Sequence, residues 1–206
     1  AGQWDRLLFV QPPYQPEIAN TPFGELAEQR GRAPDDLFLD ILAEAPSLDA
    51  AQSILMQGTV FQEQTMIDSV VTDPIYMWQS DSFVTVEEGE LARRTANVQN
   101  YMSMTYFFTR YVRDLGAISM PEAVRKATSM PAKHFHLEGR GVLAAGNYAD
   151  VNVFDLNALK MNSTFSDVCR YSSGMDYVIV NGTPVIANGE HTGARSGKTL
   201  RHLPKK

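Results

Sequence analysis

The feature that most constrains the fold is a change of sequence pattern near Gly139. Up to about residue 80, short apolar runs alternate with amphipathic segments of helical spacing. From residue 140 onward, turn signals separate short runs in which apolar and polar residues alternate. Strands that alternate with helices are typical of parallel βα units, whereas closely spaced turns indicate an antiparallel sheet. The sequence therefore predicts an α/β chain in two parts, residues 1–138 and residues 139–206.

The first part begins with short strands and helices in alternation. Thr21 is the expected N-cap of the first helix, with Pro22 at its first position. Pro34 begins a second helix, in which Leu37 and Ile41 contribute to one apolar face. The expected strands are Trp4–Val10, Ser53–Met56 and Ile75–Trp78, and later helices are expected over Gln62–Val71, Met102–Asp114 and Val124–Met130, the last opened by a capping box at Ser119–Glu122.

The second part carries a specific hairpin signal. Asn181-Gly182 lies between the β-rich runs Tyr177–Val180 and Thr183–Ala187. Asn-Gly is the preferred pair for a two-residue turn in which both central residues need positive φ. Asn188-Gly189 marks a further turn. We therefore expect antiparallel strands on both sides of Asn181-Gly182.

Charge, cysteine content and hydropathy exclude several classes of protein. Among the 206 residues, 18 Lys and Arg face 24 Asp and Glu, so the net charge of −6 gives no reason to bind nucleic acid. One cysteine excludes an internal disulfide framework. No apolar run approaches the ~18 residues of a membrane span. The first residues are neither a signal peptide nor a methionine start, so we expect a part of something larger.

Several motifs suggest chemistry but have simpler explanations. His134 and His136 would point in different directions on a helix, and would share a face only if the segment were extended. The segment Gly193–Thr199 is one residue short of a phosphate-binding loop and lacks a following helix. No nucleophile motif accompanies Cys169, which we interpret as a small buried apolar residue.

Ser80-Asp81 is the remaining candidate for chemistry. The pair directly follows the expected strand Ile75–Trp78 and Gln79. In a parallel βα architecture the carboxyl ends of the strands line the functional face. A carboxylate at Asp81 is therefore well placed to act as a base or a metal ligand, or to serve as a structural cap in a loop.

Five segments, in order, resemble the C-terminal half of the N-acyl-D-amino-acid deacylases (D-aminoacylases), a family of the amidohydrolase superfamily. The segments match in order and spacing, and the resemblance covers almost the whole chain. The segments are WDRLLFV, GELAEQRGRAPDDLFLDILAEAP, DPIYMWQSD, YFFTRYVRDLGAISMPEAVRKATSMPAKHFHLEGRGVLAAGNYADVNVFDL and VIVNGTPVIANGEHTGARSGKTLR.

The resemblance implies a fold, a cofactor and a catalytic residue. The fold would be a (β/α)₈ barrel of the TIM type, of which residues 1–138 form the C-terminal portion, with a small β-sandwich that includes residues 139–206. The cofactor would be a divalent metal, with zinc favoured, whose histidine and Cys or carboxylate ligands lie outside this sequence. Asp81 would be the catalytic base toward a water activated by the metal, then the proton donor to the leaving amide nitrogen, and it is also a candidate metal ligand.

One stretch departs from the pattern of the family. The family usually has His-Pro-Arg between the Ser-Asp and the following Tyr-containing helix, whereas this chain has Asn97-Val98-Gln99 before Tyr101. The segment Ser82–Ala96 also differs. Because we expect this element to contribute to substrate binding, the substrate can be an amide other than an acyl amino acid.

The resemblance also implies a partner. Half a barrel leaves two open sheet edges, so we expect a second polypeptide that supplies the N-terminal half, forming with this chain a hydrolase of C–N bonds in a small-molecule amide. No nucleic acid or membrane partner is expected. The alternatives are a cyclic-amide or carbamate hydrolase on the same fold, and a non-catalytic subunit that completes the barrel of another chain.

Overall fold

The computed structural model describes residues 4–9, 14–19, 21–52, 56–58, 63–83, 86–89, 98–164 and 167–201. In these ranges, helices occupy most of the chain up to His134 and an antiparallel sheet begins at Val151. The helices are α1 (Phe23–Gln29), α2 (Pro34–Ala43), α3 (Leu48–Gln52), α4 (Glu63–Met66, continuing as the π-helix Ile67–Val71), α5 (Gln99–Tyr106, continuing as the π-helix Phe107–Asp114), α6 (Met120–Ala127) and α7 (Ser129–His134). The strands are β1 (Leu7–Phe9), β2 (Met56–Gly58), β3 (Val151–Phe154), β4 (Met175–Val180), β5 (Thr183–Ala187) and β6 (Glu190–His191), and short 3₁₀ turns span Trp4–Arg6 and Pro16–Ile18. The α/β class predicted from the sequence is confirmed.

The helix predictions hold in position, with small differences at the ends and one interruption, because the helix expected over Val124–Met130 is divided at Thr128 into α6 and α7. The first helix starts at Phe23, with Pro22 rather than Thr21 at the cap. Ser119 does precede α6, but its side chain does not cap the helix, and the Glu122 carboxylate accepts hydrogen bonds from Arg125 instead. The guanidinium offers Glu122 a charged partner one turn away, so the capping box does not form.

The parallel pairing predicted for the first part is wrong for the strands that the structure describes. Strands β1 and β2 pair antiparallel, with Leu8 opposite Gln57. Each strand has three residues, so few ladder hydrogen bonds form. Whether two such short strands run parallel or antiparallel depends on the path of the chain through α1–α3 between them. The composition of the strands does not encode that path. The positions Ser53–Leu55, expected to begin the second strand, lie outside the described residues.

The strand expected over Ile75–Trp78 is also absent, and the segment is irregular. Its start is a turn in which the Asp73 carboxylate accepts the N–H of Ile75 at 2.9 Å. Ile75 is 72% exposed, and the backbone N–H of Trp78 donates to the carbonyl of Lys126 on α6 rather than to a neighbouring strand. An Asx turn and a helix carbonyl thus satisfy groups that a strand would have paired.

The antiparallel sheet confirms the hairpin prediction. Its four strands have the order β3-β4-β5-β6, with all neighbours antiparallel. Asn181 and Gly182 have φ of 51° and 80°, as expected for the central residues of a type I′ turn. The next turn, at Asn188-Gly189, has φ of 52° and 81°. Local turn chemistry therefore fixes the register of this part.

Among the described residues, three apolar clusters hold the elements together. The first joins β1, α1 and α2 around Phe9, Phe23 and Ile41. The second lies at the start of α5, where Val98 and Tyr101 pack with Val168. The third packs α5 and α6 around Phe107, Tyr111 and Ala123, with the partly buried Trp78 against it. The second and third clusters flank the loop that carries Asp81. None of the described helices is long and apolar enough to span a bilayer.

Candidate functional site

Asp81 lies in an irregular loop and has a strained backbone. The side chain is exposed, and φ is +47°, in the left-handed region. This conformation costs a residue other than glycine roughly 1–3 kcal/mol, although Asp and Asn tolerate it better than other residues. Backbone strain of this kind is concentrated at functional sites, because the surrounding contacts must enforce it. The contacts that enforce it lie around residues 79–83, which we call the Asp81 loop.

Two glutamine side chains hold the two backbone polar groups of Asp81. The N–H of Asp81 donates to Oε1 of Gln79 at 2.7 Å. The carbonyl of Asp81 accepts a hydrogen bond from Nε2 of Gln99 at 3.0 Å. The Oγ of Ser82 lies 2.9 Å from the backbone carbonyl oxygen of Gln99, within hydrogen-bond distance. The loop is thus attached to the first residue of α5 by both a side chain and a backbone group.

Further contacts extend this attachment along the first turn of α5. The N–H of Phe83 donates to Oδ1 of Asn100 at 3.1 Å. The Tyr101 hydroxyl donates to the carbonyl of Val86 at 2.8 Å, while its ring lies in the second apolar cluster. The start of α5 therefore supports the chain on the C-terminal side of Asp81.

The third apolar cluster supports the chain on the other side. The Trp78 ring stacks on Phe107 with 4.4 Å between centroids and 14° between planes. Its backbone N–H donates to the carbonyl of Lys126 at 3.3 Å. The stacking and this hydrogen bond fix the position of Trp78 against α5 and α6. Trp78 lies three residues before Asp81 in the sequence.

Lys126 is an unusual part of that support, because it is a lysine with only 1% of its surface exposed. Its ammonium donates to the carbonyls of Val70, at 3.4 Å, and Asp73, where the π-helix Ile67–Val71 ends. A cation at the C-terminal end of a helix satisfies carbonyls that lack intrahelical partners. Burial lowers the pKa of Lys126, and the opposing charges of Glu122 and Asp73 counteract part of that effect.

A complete metal centre is not formed by the described residues. In those ranges no three His, Cys, Asp or Glu side chains lie together in a way that could hold an ion. His134 ends α7 and His136 follows it with φ of +54°, and both are exposed. Asp81 alone is too few ligands for zinc, which takes three or four from the protein. The residues present therefore do not by themselves fit a metal site, and we derive no catalytic step through a metal from them.

Two features noted in the sequence for separate reasons meet in this loop. Gln99 belongs to the stretch that departs from the family pattern, and its side chain donates to the backbone carbonyl of Asp81. Asn97, in the same departure from the family pattern, lies outside the described residues. Gln79 was not predicted to belong to the site, because no sequence pattern indicates that its side chain accepts the N–H of the residue two positions later. Cys169, expected to be a small buried apolar residue, packs against the second apolar cluster but is only partly buried.

Residues 88–186 match the family described as "Amidohydrolase family". This stretch includes Gln99 and begins after Asp81. Over 90 residues the chain is 40% identical to D-aminoacylase of Alcaligenes xylosoxydans xylosoxydans, which is 44% of this chain and 19% of that protein. Over 99 residues it is 37% identical to N-acyl-D-glutamate deacylase of the same organism, which is 48% of this chain and 20% of that protein.

Solved structures extend the likeness to nearly the whole chain. A crystal structure of D-aminoacylase that defines a novel subset of amidohydrolases matches 96% of this chain with a TM-score of 0.71 and 25% identity. N-acyl-D-glutamate deacylase from Bordetella bronchiseptica, complexed with zinc and a phosphonate inhibitor, matches 97% with a TM-score of 0.66 and 24% identity. The chain spans 38% of the length of each of these structures.

These matches confirm the recognised resemblance to the D-aminoacylases of the amidohydrolase family. The relatives act as deacylases, and a structural study of D-aminoacylase describes a binuclear metal centre with one-metal activation. A divalent metal, and zinc in one case, is therefore the cofactor class of these relatives. Metal-dependent hydrolysis of C–N bonds is the chemistry of the family that this chain resembles.

Proposed function

We propose that this chain is the C-terminal part of a metal-dependent amidohydrolase and that Asp81 carries proton transfer in the hydrolysis of a C–N amide bond. The observation that carries the proposal is the likeness to D-aminoacylase over 96% of the chain at a TM-score of 0.71. The family match of residues 88–186 supports it independently. The strained and well-supported conformation of the exposed Asp81 supports the assignment of the residue.

The role of Asp81 follows from the chemistry of a carboxylate in such a reaction. As a water oxygen forms a bond to the carbonyl carbon of the amide, the Asp81 carboxylate accepts a proton from that water. As the C–N bond breaks, the same proton passes from Asp81 to the leaving nitrogen. Proton, water and amine thus balance without a further reactant. The exposed position of Asp81 leaves its carboxylate accessible to both groups.

The metal of such an enzyme would be held largely by residues beyond those described here. We propose that a second polypeptide, or a segment equivalent to the N-terminal part of the relatives, supplies its histidines. The chain spans 38% of the D-aminoacylase structure, so most of the length of that protein has no counterpart here. Asp81 remains a candidate ligand that this chain contributes.

Exposed apolar surface supports such a partner. Around the Asp81 loop, Ile75 is 72% and Phe83 74% exposed, and Tyr76 and Val86 are also exposed. A groove of about 620 Å³ lies between α5, α6 and β3, and its apolar lining includes Met104, Phe108, Val124, Val142 and Leu143. We propose that the same partner covers both surfaces, in an obligate interface of at least about 2,000 Å².

One observation favours a second candidate substrate class. Over 43 residues the chain is 51% identical to a dihydroorotase from Endomicrobium trichonymphae, which is 21% of this chain and 10% of that protein. Dihydroorotate, the molecule in that name, is a cyclic amide. A cyclic-amide hydrolase on the same fold therefore remains the alternative to an N-acyl amino acid deacylase.

The substitution Asp81→Asn tests the catalytic assignment in the active assembly. Asn tolerates positive φ, so the variant keeps the backbone conformation and loses the base. We expect kcat to fall about 10²–10⁴-fold, the usual contribution of a general base. Hydrolysis is measured with a panel of N-acyl-D-amino acids and with a cyclic amide, so that the same experiment separates the two substrate classes.

Asp155→Asn is the matched control. Asp155 is another exposed loop aspartate, whose carboxylate accepts the N–H of Asn157 at 2.9 Å. This variant should retain the activity of the unmodified assembly. If Asp81→Asn also retains it, the catalytic assignment of Asp81 is wrong.

A further inference from the structure

We propose that Gln79 and Gln99 are positioning residues for catalysis, because together they hold Asp81 in the left-handed conformation. We call these two side chains the glutamine clamp. The inference rests on the proposed role of Asp81 and adds to it the residues that fix the direction of its carboxylate. The inference is based on the two hydrogen bonds to the backbone of Asp81 and on its φ of +47°.

The clamp acts on both torsion angles of Asp81. Rotation about φ changes the direction of the N–H relative to the Cβ, and this N–H is held by Oε1 of Gln79 at 2.7 Å. Rotation about ψ moves the carbonyl, which Nε2 of Gln99 holds at 3.0 Å. Because the Cβ direction is set by these two torsions, a return of φ to negative values would break the clamp and redirect the carboxylate.

The two members of the clamp differ in what they are attached to. Gln79 follows Trp78, whose ring is stacked on Phe107. Gln99 is the first residue of α5 and lies between the buried Val98 and Tyr101. The exposed Asp81 is therefore connected to two apolar clusters through one glutamine on each side. A rigid support of this kind is what a proton-transfer group needs, since small misplacements reduce rates strongly.

The contacts of the second member are reinforced by Ser82. Its hydroxyl lies 2.9 Å from both the carbonyl of Ser80 and the carbonyl of Gln99. This contact keeps the loop close to the start of α5 when the side chain of Gln99 is removed. A variant of Gln99 should therefore loosen Asp81 without detaching the whole loop.

The experiment uses Gln79→Met and Gln99→Met in the active assembly. Methionine has nearly the length of glutamine but neither the amide acceptor nor the amide donor. We expect each variant to lower kcat by about 10- to 100-fold with KM changed by no more than about twofold. The exchange rate of the Asp81 amide hydrogen should rise in Gln79→Met, since its acceptor is lost.

Rescue variants separate positioning from general damage. Gln79→Glu keeps an acceptor for the N–H of Asp81, and Gln99→Lys keeps a donor for its carbonyl. Both should recover most of the lost kcat. Gln29→Met is the matched control, because Gln29 is an exposed glutamine that donates to Glu25 at 3.1 Å on α1. This control should keep the kcat of the unmodified assembly.

Combination with Asp81→Asn decides whether the clamp acts through Asp81. If it does, adding Gln99→Met to Asp81→Asn should cause little further loss. If the losses of kcat from the two substitutions multiply in the double variant, the proposal is overturned, because Gln99 would then act directly on the substrate or on the fold. Normal kcat in Gln99→Met beside an inactive Asp81→Asn would overturn the clamp alone. Full activity of Asp81→Asn would instead refute the catalytic role of Asp81, and the clamp with it.

Discussion

At the scale of single residues, Asp150 shows how a carboxylate outside the candidate site is used for stability. It forms an ion pair with Arg140 and accepts the N–H of Asn181 at 2.8 Å. Arg140 also donates to Oδ1 of Asn181 at 2.6 Å and lies over the ring of Tyr148. Burial alone would raise the pKa of Asp150, but the hydrogen bonds from Asn181 and Arg140 outweigh it and lower the pKa.

This network predicts a pH-dependent effect of Asp150→Asn. A lowered pKa means that the charged carboxylate stabilises the fold at pH values above its unfolded value of 3.8, and that this contribution disappears as the pH falls through the lower, folded value. At neutral pH we expect the variant to lose about 1 kcal/mol of unfolding free energy, because solvent screens a partly exposed pair.

Urea unfolding at neutral pH and at a pH below the folded value measures the effect. The difference between the unmodified protein and Asp150→Asn should shrink toward zero at the acidic pH. A difference that stays constant with pH would show that the charge of Asp150 does not stabilise the sheet.

At the scale of elements, the hairpin β4–β5 depends on the backbone of its turn. Gly182 has φ of +80°, and a Cβ added there would meet nothing within 4 Å. The substitution Gly182→Ala therefore adds no clash and tests backbone conformation alone. We expect a loss of about 1–2 kcal/mol in unfolding free energy, the cost of a left-handed conformation for an L-residue.

Gly197→Ala is the control for this substitution. A Cβ at Gly197 also meets nothing within 4 Å, and its φ lies outside the positive range. Thermal or urea unfolding should therefore show little change for Gly197→Ala and a clear loss for Gly182→Ala. Equal stability of the two variants would contradict the type I′ turn.

The elements that could be predicted from the sequence are those whose signal is local. Asn181-Gly182 favours positive φ through its own chemistry, and the fixed φ of Pro34 suits the first position of a helix. The segment Ile75–Trp78 has the composition of a strand, but the N–H of Ile75 bonds to the nearby Asp73 carboxylate and the N–H of Trp78 bonds to the carbonyl of Lys126, which only the folded chain brings near. Turns and helix starts could therefore be predicted from the sequence, whereas the pairing of strands could not.

The same distinction applies to the candidate site. Asp81 could be selected because its position after an apolar run and its place in a family pattern are both properties of the sequence. The glutamine clamp could not be predicted, because Gln99 is 18 residues from Asp81 and its hydrogen bond to the Asp81 carbonyl depends on where α5 begins. Contacts between a loop and a helix start follow from packing rather than from spacing.

At the scale of the whole molecule, the proposed function requires more surface and more ligands than the described residues provide. No group of three potential metal ligands forms among them, while large apolar side chains are exposed next to Asp81. The exposed apolar side chains support the proposal that another polypeptide covers this surface. We expect the separated chain to aggregate or to bind an apolar dye, because its interface would face water.

The need for a partner is tested most directly by measuring native mass and hydrolytic activity on the same purified material. We predict that amide hydrolysis occurs in an assembly in which this chain is joined by a second polypeptide, seen as an additional band on a denaturing gel. Separating the two should abolish activity, and recombining them should restore it. A folded monomer of these 206 residues that hydrolyses amides without a companion would contradict the account.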